Sequence, residues 1–351
     1  MKHIFKDLES VEPYREDWNK LAEIQANALI SFEWFRCCAN SFHYNDSLYI
    51  VCIVVNDKLI AVAPLYKSIS DRHLQIIGSR RLYEPSSLLY KDNKALKTLL
   101  NACSGIGMPI LFNRLFYNIY CNNKLNFLGA RAFYFSRLSA SSQYIELNSD
   151  FESYEERLSS RKRYDIRRAN KKAQKYGRVS YEINEKNITN IDQLLHQAYE
   201  VENSSWKQRS ESSICRNDDL NRFFSCLFTS LGKRCKCIIS FLSIDNKPVA
   251  TQLAIKQFGR LWVLKIGYDE GYASCSPGTL LMHEMIHYAH LQELKLFEFL
   301  GNEETWLDSW RPATRQYNNL LLYPLSYKGL TGFCMDIYNL IVNKIKRVIY
   351  K

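Results

Sequence analysis

The chain has 351 residues, a length typical of about two domains, and 46% of its residues are hydrophobic and 24% are charged. This mixture excludes a mainly disordered, collagen-like or coiled-coil chain. Lysine and arginine exceed aspartate and glutamate by 47 − 36 = 11 residues, and the isoelectric point is about 9.0. A basic chain of this kind suits an anionic partner such as a nucleotide cofactor, an RNA, an acidic glycan or an anionic membrane.

The first part of the chain, residues 1–149, has the patterning of a mixed α/β domain. Apolar residues recur at helical spacing in Val11–Leu29. Two apolar runs, Leu48–Val55 and Leu59–Leu65, flank a polar turn and predict a β-hairpin. Further strands are predicted at Leu74–Ile77 and Ile110–Phe112.

The second predicted domain, residues 150–326, begins at the polar segment Asp150–Ser160. A single long helix is predicted from Phe151 to Tyr176, ended by Gly177 as its C-cap. Strands and helices then alternate, which predicts a mixed, mostly antiparallel sheet flanked by helices. The later elements are predicted at Val179–Ile183, Ile191–Asn203, Asp218–Leu231, Cys237–Ile244, Pro248–Ile255, Leu261–Ile266, Pro277–Gln292, Leu296–Leu300 and Asn318–Tyr323.

The tail, residues 327–351, is predicted to be a basic amphipathic helix, with Lys344, Lys346, Arg347 and Lys351 beside an apolar stripe. Two interpretations stay open: the helix lies on an anionic membrane surface, or it docks on the core and exposes a solvated basic face.

No segment has the apolar length of a membrane span. The N-terminus lacks the apolar core of a signal peptide, so we expect a cytoplasmic protein, with peripheral association with the inner membrane as a further option. The eleven cysteines form no Cys-x-x-Cys pair and are predicted to be reduced, mostly buried thiols.

The segment Ser276-Pro277-Gly278 is predicted to start a helix. Serine is a good N-cap, proline suits the first turn, and glycine permits close approach of a ligand. Free amides and the positive end of the helix dipole would make an anion site there.

Five stretches of the chain, in consistent order, carry a resemblance to a known family. They are Trp18–Leu21 with Ser31–Trp34, Arg163–Gly177, Ser205–Lys207, Lys265–Asp269 with Ser276–Leu281, and Phe297–Glu303. The pattern resembles the GNAT-fold acetyltransferases of polysaccharide and cellulose biosynthesis, the CelD/BcsL type, which are related to the Fem-type aminoacyltransferases. The resemblance implies two GNAT-like lobes, of which the first is degenerate.

The resemblance also implies an N-acyltransferase that uses acyl-CoA, with acetyl-CoA as the expected donor, and no metal. Its acceptor would be an amine of a small-molecule or lipid-linked sugar. The implied donor cradle is Ser276, Pro277, Gly278, Thr279 and Leu280. The implied catalytic residues are Glu303 as base, with Asp269 as its rival, and Tyr268 as acid; the implied acceptor-binding residues are Trp206, Lys207 and Lys265.

The sequence departs from the family pattern in two places. The Gly-rich phosphate loop of ordinary GNAT enzymes is missing, and Thr305-Trp306-Leu307 replaces the Tyr-Lys pair that many relatives have. Three alternatives stay open. The donor could be an aminoacyl-tRNA, which the ten basic residues of Arg157–Arg178 would suit. The segment His283-Glu284-Met285-Ile286-His287 matches a zinc-hydrolase motif. A non-catalytic GNAT-like binding module is the third.

Overall fold

The computed structural model describes residues 1–43, 46–116, 125–185, 190–205, 213–231 and 236–349, without the side chains of 347–349. The chain forms two compact units: unit 1 is Met1–Ala140 with Gln316–Lys351, and unit 2 is Ser141–Arg315. Among the described residues, no helix combines the length and apolar character needed to cross a bilayer.

Unit 1 is a mixed sheet with helices. Its first segment contains β1 (Lys2–Phe5), α1 (Arg15–Ile24), α2 (Phe32–Phe42), β2 (Ser47–Val55), β3 (Lys58–Lys67), β4 (Leu74–Ile76), α3 (Ser79–Leu82), β5 (Leu89–Tyr90), α4 (Asn93–Ser104), β6 (Ile110–Phe116), β7 (Asn126–Leu128) and β8 (Ala132–Leu138). The predicted hairpin is confirmed as β2–β3, because Asn56 and Asp57 adopt the positive φ angles of a tight two-residue turn. The helix predicted over Val11–Leu29 is shorter, since Glu9–Tyr14 is a 3₁₀ helix and α1 ends at Ile24.

Unit 2 contains β9 (Ser142–Glu146), α5 (Phe151–Arg157), α6 (Ser160–Tyr176), β10 (Val179–Asn184), α7 (Ile191–Asn203), α8 (Asp218–Ser230), β11 (Lys236–Ile244), β12 (Lys247–Gln257), β13 (Arg260–Tyr268), α9 (Pro277–Leu291), β14 (Leu296–Leu300) and β15 (Ala313–Arg315). The strands described in this unit form one sheet in the order β10-β11-β12-β13-β14-β9-β15. Helices α6 and α9 pack against each other and share an apolar core with the sheet, while α7 packs on β12 and β13. The fold is mixed α/β and mostly antiparallel, as predicted.

The chain then returns to unit 1 with β16 (Tyr317–Pro324) and α10 (Tyr327–Ile349). Strand β16 lies between β6 and β8, whereas β9, which precedes residue 149, lies between β14 and β15. Strand β9 was predicted in the first domain but belongs to the sheet of unit 2, and β16 was predicted in the second domain but belongs to the sheet of unit 1. Strand partners are chosen by hydrogen-bonding edges in space, which the order of elements along the chain does not reveal.

The single helix predicted from Phe151 to Tyr176 is two helices. Leu158 and Ser159 have extended backbone angles, and Leu158 is buried. The Ser159 hydroxyl accepts a hydrogen bond from the Lys162 amide at 3.1 Å, which caps α6. The helix is therefore interrupted between α5 and α6, where the buried Leu158 and the new cap at Ser159 stabilise the break.

Gly177 is the C-cap of α6, as predicted, with φ 155° and ψ −168°. A Cβ at this position would lie 2.1 Å from Asp245 Oδ2, and Asp245 Oδ1 accepts from the Arg178 amide at 2.7 Å. The glycine permits the close approach of a carboxylate. Among the described cysteines, the prediction of reduced thiols is confirmed for seven and is wrong for Cys37 and for Cys226, each of which is in a disulfide.

Candidate active site

Two neighbouring parallel strands of unit 2 separate soon after they meet. Strand β13 pairs with β14 only through Arg260, Leu261 and Trp262, yet β13 continues to Tyr268. On its other edge β13 stays paired with β12 to the end, with one bulge after Leu253. The part of β13 after Trp262 thus presents an open edge beside β14, where a ligand can lie between the two strands.

A central cavity of about 470 Å³ lies at this opening. It is lined by residues of β12, the end of β13, the start of α9 and the loop after β14. The predicted residues Tyr268, Ser276, Pro277, Gly278 and Thr279 all line it. The fold therefore brings one predicted catalytic residue and four of the five predicted cradle residues together; Leu280 is buried in the core.

The floor of the central cavity contains polar groups that sequence analysis missed. Thr251 and Gln252 of β12 line the cavity and are almost fully buried. Thr251 Oγ1 and Gln252 Nε2 have no hydrogen-bond partner among the described residues. A buried polar atom without a partner is costly, so these groups point to a polar ligand. The signal was a glutamine inside the apolar run Pro248–Ile255, where such a residue is unusual.

Helix α9 begins at Pro277, as predicted, but its start is arranged differently. Ser276 is left-handed, with φ 48° and ψ 55°, and its side chain caps no amide. The Ser276 carbonyl instead accepts from the amides of Thr279 at 3.0 Å and Leu280 at 3.3 Å. These two amides are therefore engaged within the helix start. Left-handed geometry costs a serine roughly 1–3 kcal/mol, and such strain often marks functional sites.

The carboxylates predicted as bases lie outside the lining of the central cavity. Asp269 accepts from the Gly271 amide at 2.9 Å and pairs with Lys247 at 3.2 Å. Glu303 is exposed and accepts a hydrogen bond from the Ser141 hydroxyl. Its neighbour Glu304 lines the cavity. Glu304 was missed because adjacent glutamates cannot be told apart from sequence.

Glu304 is held in place from both sides. Its amide donates to the buried Gln143 Oε1 at 3.0 Å, and its carboxylate accepts from the Trp306 indole N–H. Gln143 Nε2 also donates to Asp308 at 2.9 Å. The first residues of β9 thus fasten the loop that carries the cavity carboxylate.

Of the predicted acceptor-binding residues, Lys265 is the one that the structure describes, and it does not line the central cavity. Lys265 forms an ion pair with Glu202 at 3.3 Å, and Glu202 is 1% exposed. Glu202 also accepts from the Ile214 amide at 3.1 Å. This arrangement stabilises a buried carboxylate. Trp206 and Lys207 lie outside the described residues.

A second cavity of about 370 Å³, the basic cavity, lies between α6 and the start of α9. Four cations of α6 line it: Arg161, Lys162, Arg168 and Lys172. Among the described residues, Asp165 is the one acidic residue in its lining, and Ser276 and Thr279 line both cavities. A phosphate-bearing ligand would therefore find its cations next to the polar opening.

Lys162 is the most enclosed of these cations. Its ammonium lies 3.7 Å from the centroid of the Trp310 ring, and burial lowers its pKa to about 8. Desolvation disfavours the charged form, so a bound anion would restore the charge.

The predicted zinc motif makes other contacts. His283 Nε2 lies 2.9 Å from Glu155 Oε1, and the His287 ring packs against Phe151 with centroids 4.4 Å apart. Within the part of the chain that the structure describes, no group of three or more histidine, cysteine or acidic side chains could hold a metal ion. The imidazoles of α9 serve its packing against α5.

The family comparison agrees with this geometry. Residues 160–307 match the model of the acetyltransferase (GNAT) domain. This segment includes every described residue that lines either cavity, apart from Ser159 and Ser309 of the basic cavity. A sequence search of curated proteins found no significant match.

Solved structures show the same fold at low identity. FemX has a TM-score of 0.61 at 10% identity, covering 97% of this chain and 99% of its own. The C-terminal DUF2156 domain of a protein assigned as a lysylphosphatidylglycerol synthetase from Agrobacterium fabrum has a TM-score of 0.55 at 10% identity, covering 94% of this chain and 96% of its own. A conserved protein of unknown function from Bacteroides thetaiotaomicron has a TM-score of 0.54 at 12% identity, covering 92% of this chain and 99% of its own. These structures show that the chain has a GNAT-like fold. The match of residues 160–307 to the GNAT acetyltransferase domain identifies it as an acyltransferase.

Proposed function

We propose that the chain transfers an acyl group, with acetyl as the first candidate, from acyl-CoA to an amine of a sugar or other cell-surface polysaccharide precursor. One observation carries the donor assignment: the basic cavity and the central cavity share Ser276 and Thr279 at the start of α9. The first offers cations to the phosphates of CoA, and the second offers unpartnered polar groups to the thioester.

Each chemical role in this proposal has a candidate residue. The acceptor nitrogen attacks the thioester carbonyl carbon, a C–N bond forms and the C–S bond breaks. The Gln252 amide N–H would stabilise the developing oxyanion. Glu304 would take the proton from the nitrogen, and the Tyr268 hydroxyl would protonate the departing thiolate. Glu303, the base predicted from sequence, is the rival candidate, and separate amide variants of Glu303 and Glu304 decide between the two.

The acceptor class rests on the resemblance of Lys265–Asp269 and Ser276–Leu281 to the CelD/BcsL type. An aminoacyl-tRNA donor is the second candidate, because α6 presents a basic surface that a polyanion can also use. Two assays test the donor: acetyl transfer from acetyl-CoA to a panel of amino sugars, and, separately, aminoacyl transfer from charged tRNA to the same acceptors. Transfer that requires charged tRNA would refute the CoA assignment.

Donor binding has a matched pair of variants on α6. Arg168→Ala/Lys172→Ala removes two cations of the basic cavity, whereas Arg167→Ala/Lys171→Ala removes two exposed cations outside its lining. We expect the dissociation constant of acetyl-CoA, measured by calorimetry, to rise about tenfold or more in the first variant. It should change little in the second. Equal effects would show that only overall charge matters.

A further inference from the structure

The C-terminal helix α10 leaves a long apolar stripe uncovered. Its first turns pack on the rest of unit 1, where Phe333 contacts the ring of Tyr323 with centroids 5.2 Å apart. From Ile337 onward nearly every described side chain is exposed. Ile337, Ile341 and Ile345 are 41%, 54% and 51% exposed. They recur every four residues, so they lie along one side of the helix.

The charge on the exposed part of α10 is entirely positive. Its one acidic residue, Asp336, accepts a hydrogen bond from Tyr323 at 2.6 Å and lies 2.7 Å from His73 Nε2. The exposed charged side chains described on this helix are Lys328, Lys344 and Lys346. An apolar stripe with lysines and no uncompensated acid complements a negatively charged lipid surface.

A groove at the base of the same helix adds a second, independent observation. This cavity of about 440 Å³ is lined by Lys67, Arg72 and Lys328 together with apolar residues that include Met335. The one acidic residue described in its lining, Asp71, is already paired with Arg80 and accepts from Gln75 Nε2 at 3.1 Å. Cations beside an apolar helix start suit a phosphate headgroup whose acyl chains lie along the helix.

We infer that α10 is a docking surface for an anionic phospholipid bilayer. Ile337, Leu340, Ile341 and Ile345 insert at the level of the headgroups, and the lysines contact lipid phosphates. This surface belongs to unit 1 and does not depend on the proposed acyl transfer.

The test uses the full chain and sedimentation with vesicles of phosphatidylcholine, with and without phosphatidylglycerol. We expect binding to the anionic vesicles that weakens at high salt, because salt screens exposed charges. Ile337→Asn/Ile341→Asn should reduce the partition coefficient tenfold or more. Lys344→Gln and Lys346→Gln should each reduce it about fivefold. Asn339→Ser/Asn343→Ser changes exposed polar positions of the same helix and should have no effect.

Circular dichroism and thermal melting verify that each variant is folded. We expect all of them to fold, because the substituted side chains are exposed. Light scattering gives the mass in solution. The inference is overturned if folded protein does not bind anionic vesicles. It is also overturned if the chain forms a dimer that Ile337→Asn/Ile341→Asn dissociates while vesicle binding is absent, because the stripe would then be covered by a second copy.

Discussion

The ring of Tyr268, at the end of β13, lies directly against Gly278 in the first turn of α9. A Cβ added to Gly278 would be 3.4 Å from Tyr268 Cδ1, an ordinary van der Waals contact. A Cβ would therefore fit at this position, and the backbone conformation does not require a glycine. Gly267, one residue before Tyr268, differs: a Cβ there would be 2.6 Å from the Glu202 Cα.

This contrast gives a prediction for two glycines that are close in space. Gly278→Ala should leave the melting temperature unchanged, whereas Gly278→Phe should fill the cavity and weaken donor binding in a folded protein. Gly267→Ala should destabilise by about 1–3 kcal/mol, because backbone must move to relieve the overlap. Chemical denaturation and donor titration separate the two effects. Unchanged donor affinity in Gly278→Phe would place the cradle elsewhere.

Gln252 should affect activity and stability in opposite directions. Gln252→Met removes a buried amide nitrogen that has no partner in the described structure, so the free energy of unfolding should stay the same or rise by about 1 kcal/mol. The rate constant kcat should fall about a hundredfold if the amide stabilises the oxyanion. Gln257→Met, at the far end of β12, is the control and should retain kcat. A fully active Gln252→Met would remove this residue from the mechanism.

The two adjacent glutamates can be separated by paired amide variants. Glu304→Gln should reduce kcat strongly at an unchanged dissociation constant for the donor, because only the base is lost. Glu303→Gln should retain most activity, since its carboxylate bonds Ser141 and does not line the cavity. Steady-state rates and donor titrations measure both. The reverse result would restore Glu303 as the base and show that the loop rearranges on binding.

The lowered pKa of Lys162 predicts two effects of rising pH: donor affinity should fall, and the contribution of Lys162 to stability should rise. Its pKa is lowered by burial to about 8, so donor affinity should fall as the pH rises through 8 and the cation is lost. Between about pH 8 and 10.5 the folded protein binds fewer protons at this site than the unfolded chain. The contribution of Lys162 to the free energy of unfolding therefore rises with pH in that window.

Lys162→Arg tests the first effect and Lys162→Met the second. Arginine stays charged, so donor affinity in Lys162→Arg should lose its dependence on pH near 8. Unfolding of Lys162→Met in denaturant at a series of pH values should show a smaller rise in stability than the unaltered chain. Identical pH profiles in all three proteins would mean that Lys162 keeps an ordinary pKa.

The local sequence pattern determined many of the helices and strands of this protein. The apolar runs and turn residues predicted the β2–β3 hairpin and β14, and spacing predicted α7 and α9, because these features depend on neighbours along the chain. The tertiary structure decided which residues meet. It exchanged β9 and β16 between the sheets, tied Lys265 to buried Glu202, and turned Glu304 rather than Glu303 to the cavity. Strand pairing, ion pairing and side-chain direction depend on residues distant in sequence, and no local pattern encodes those distances.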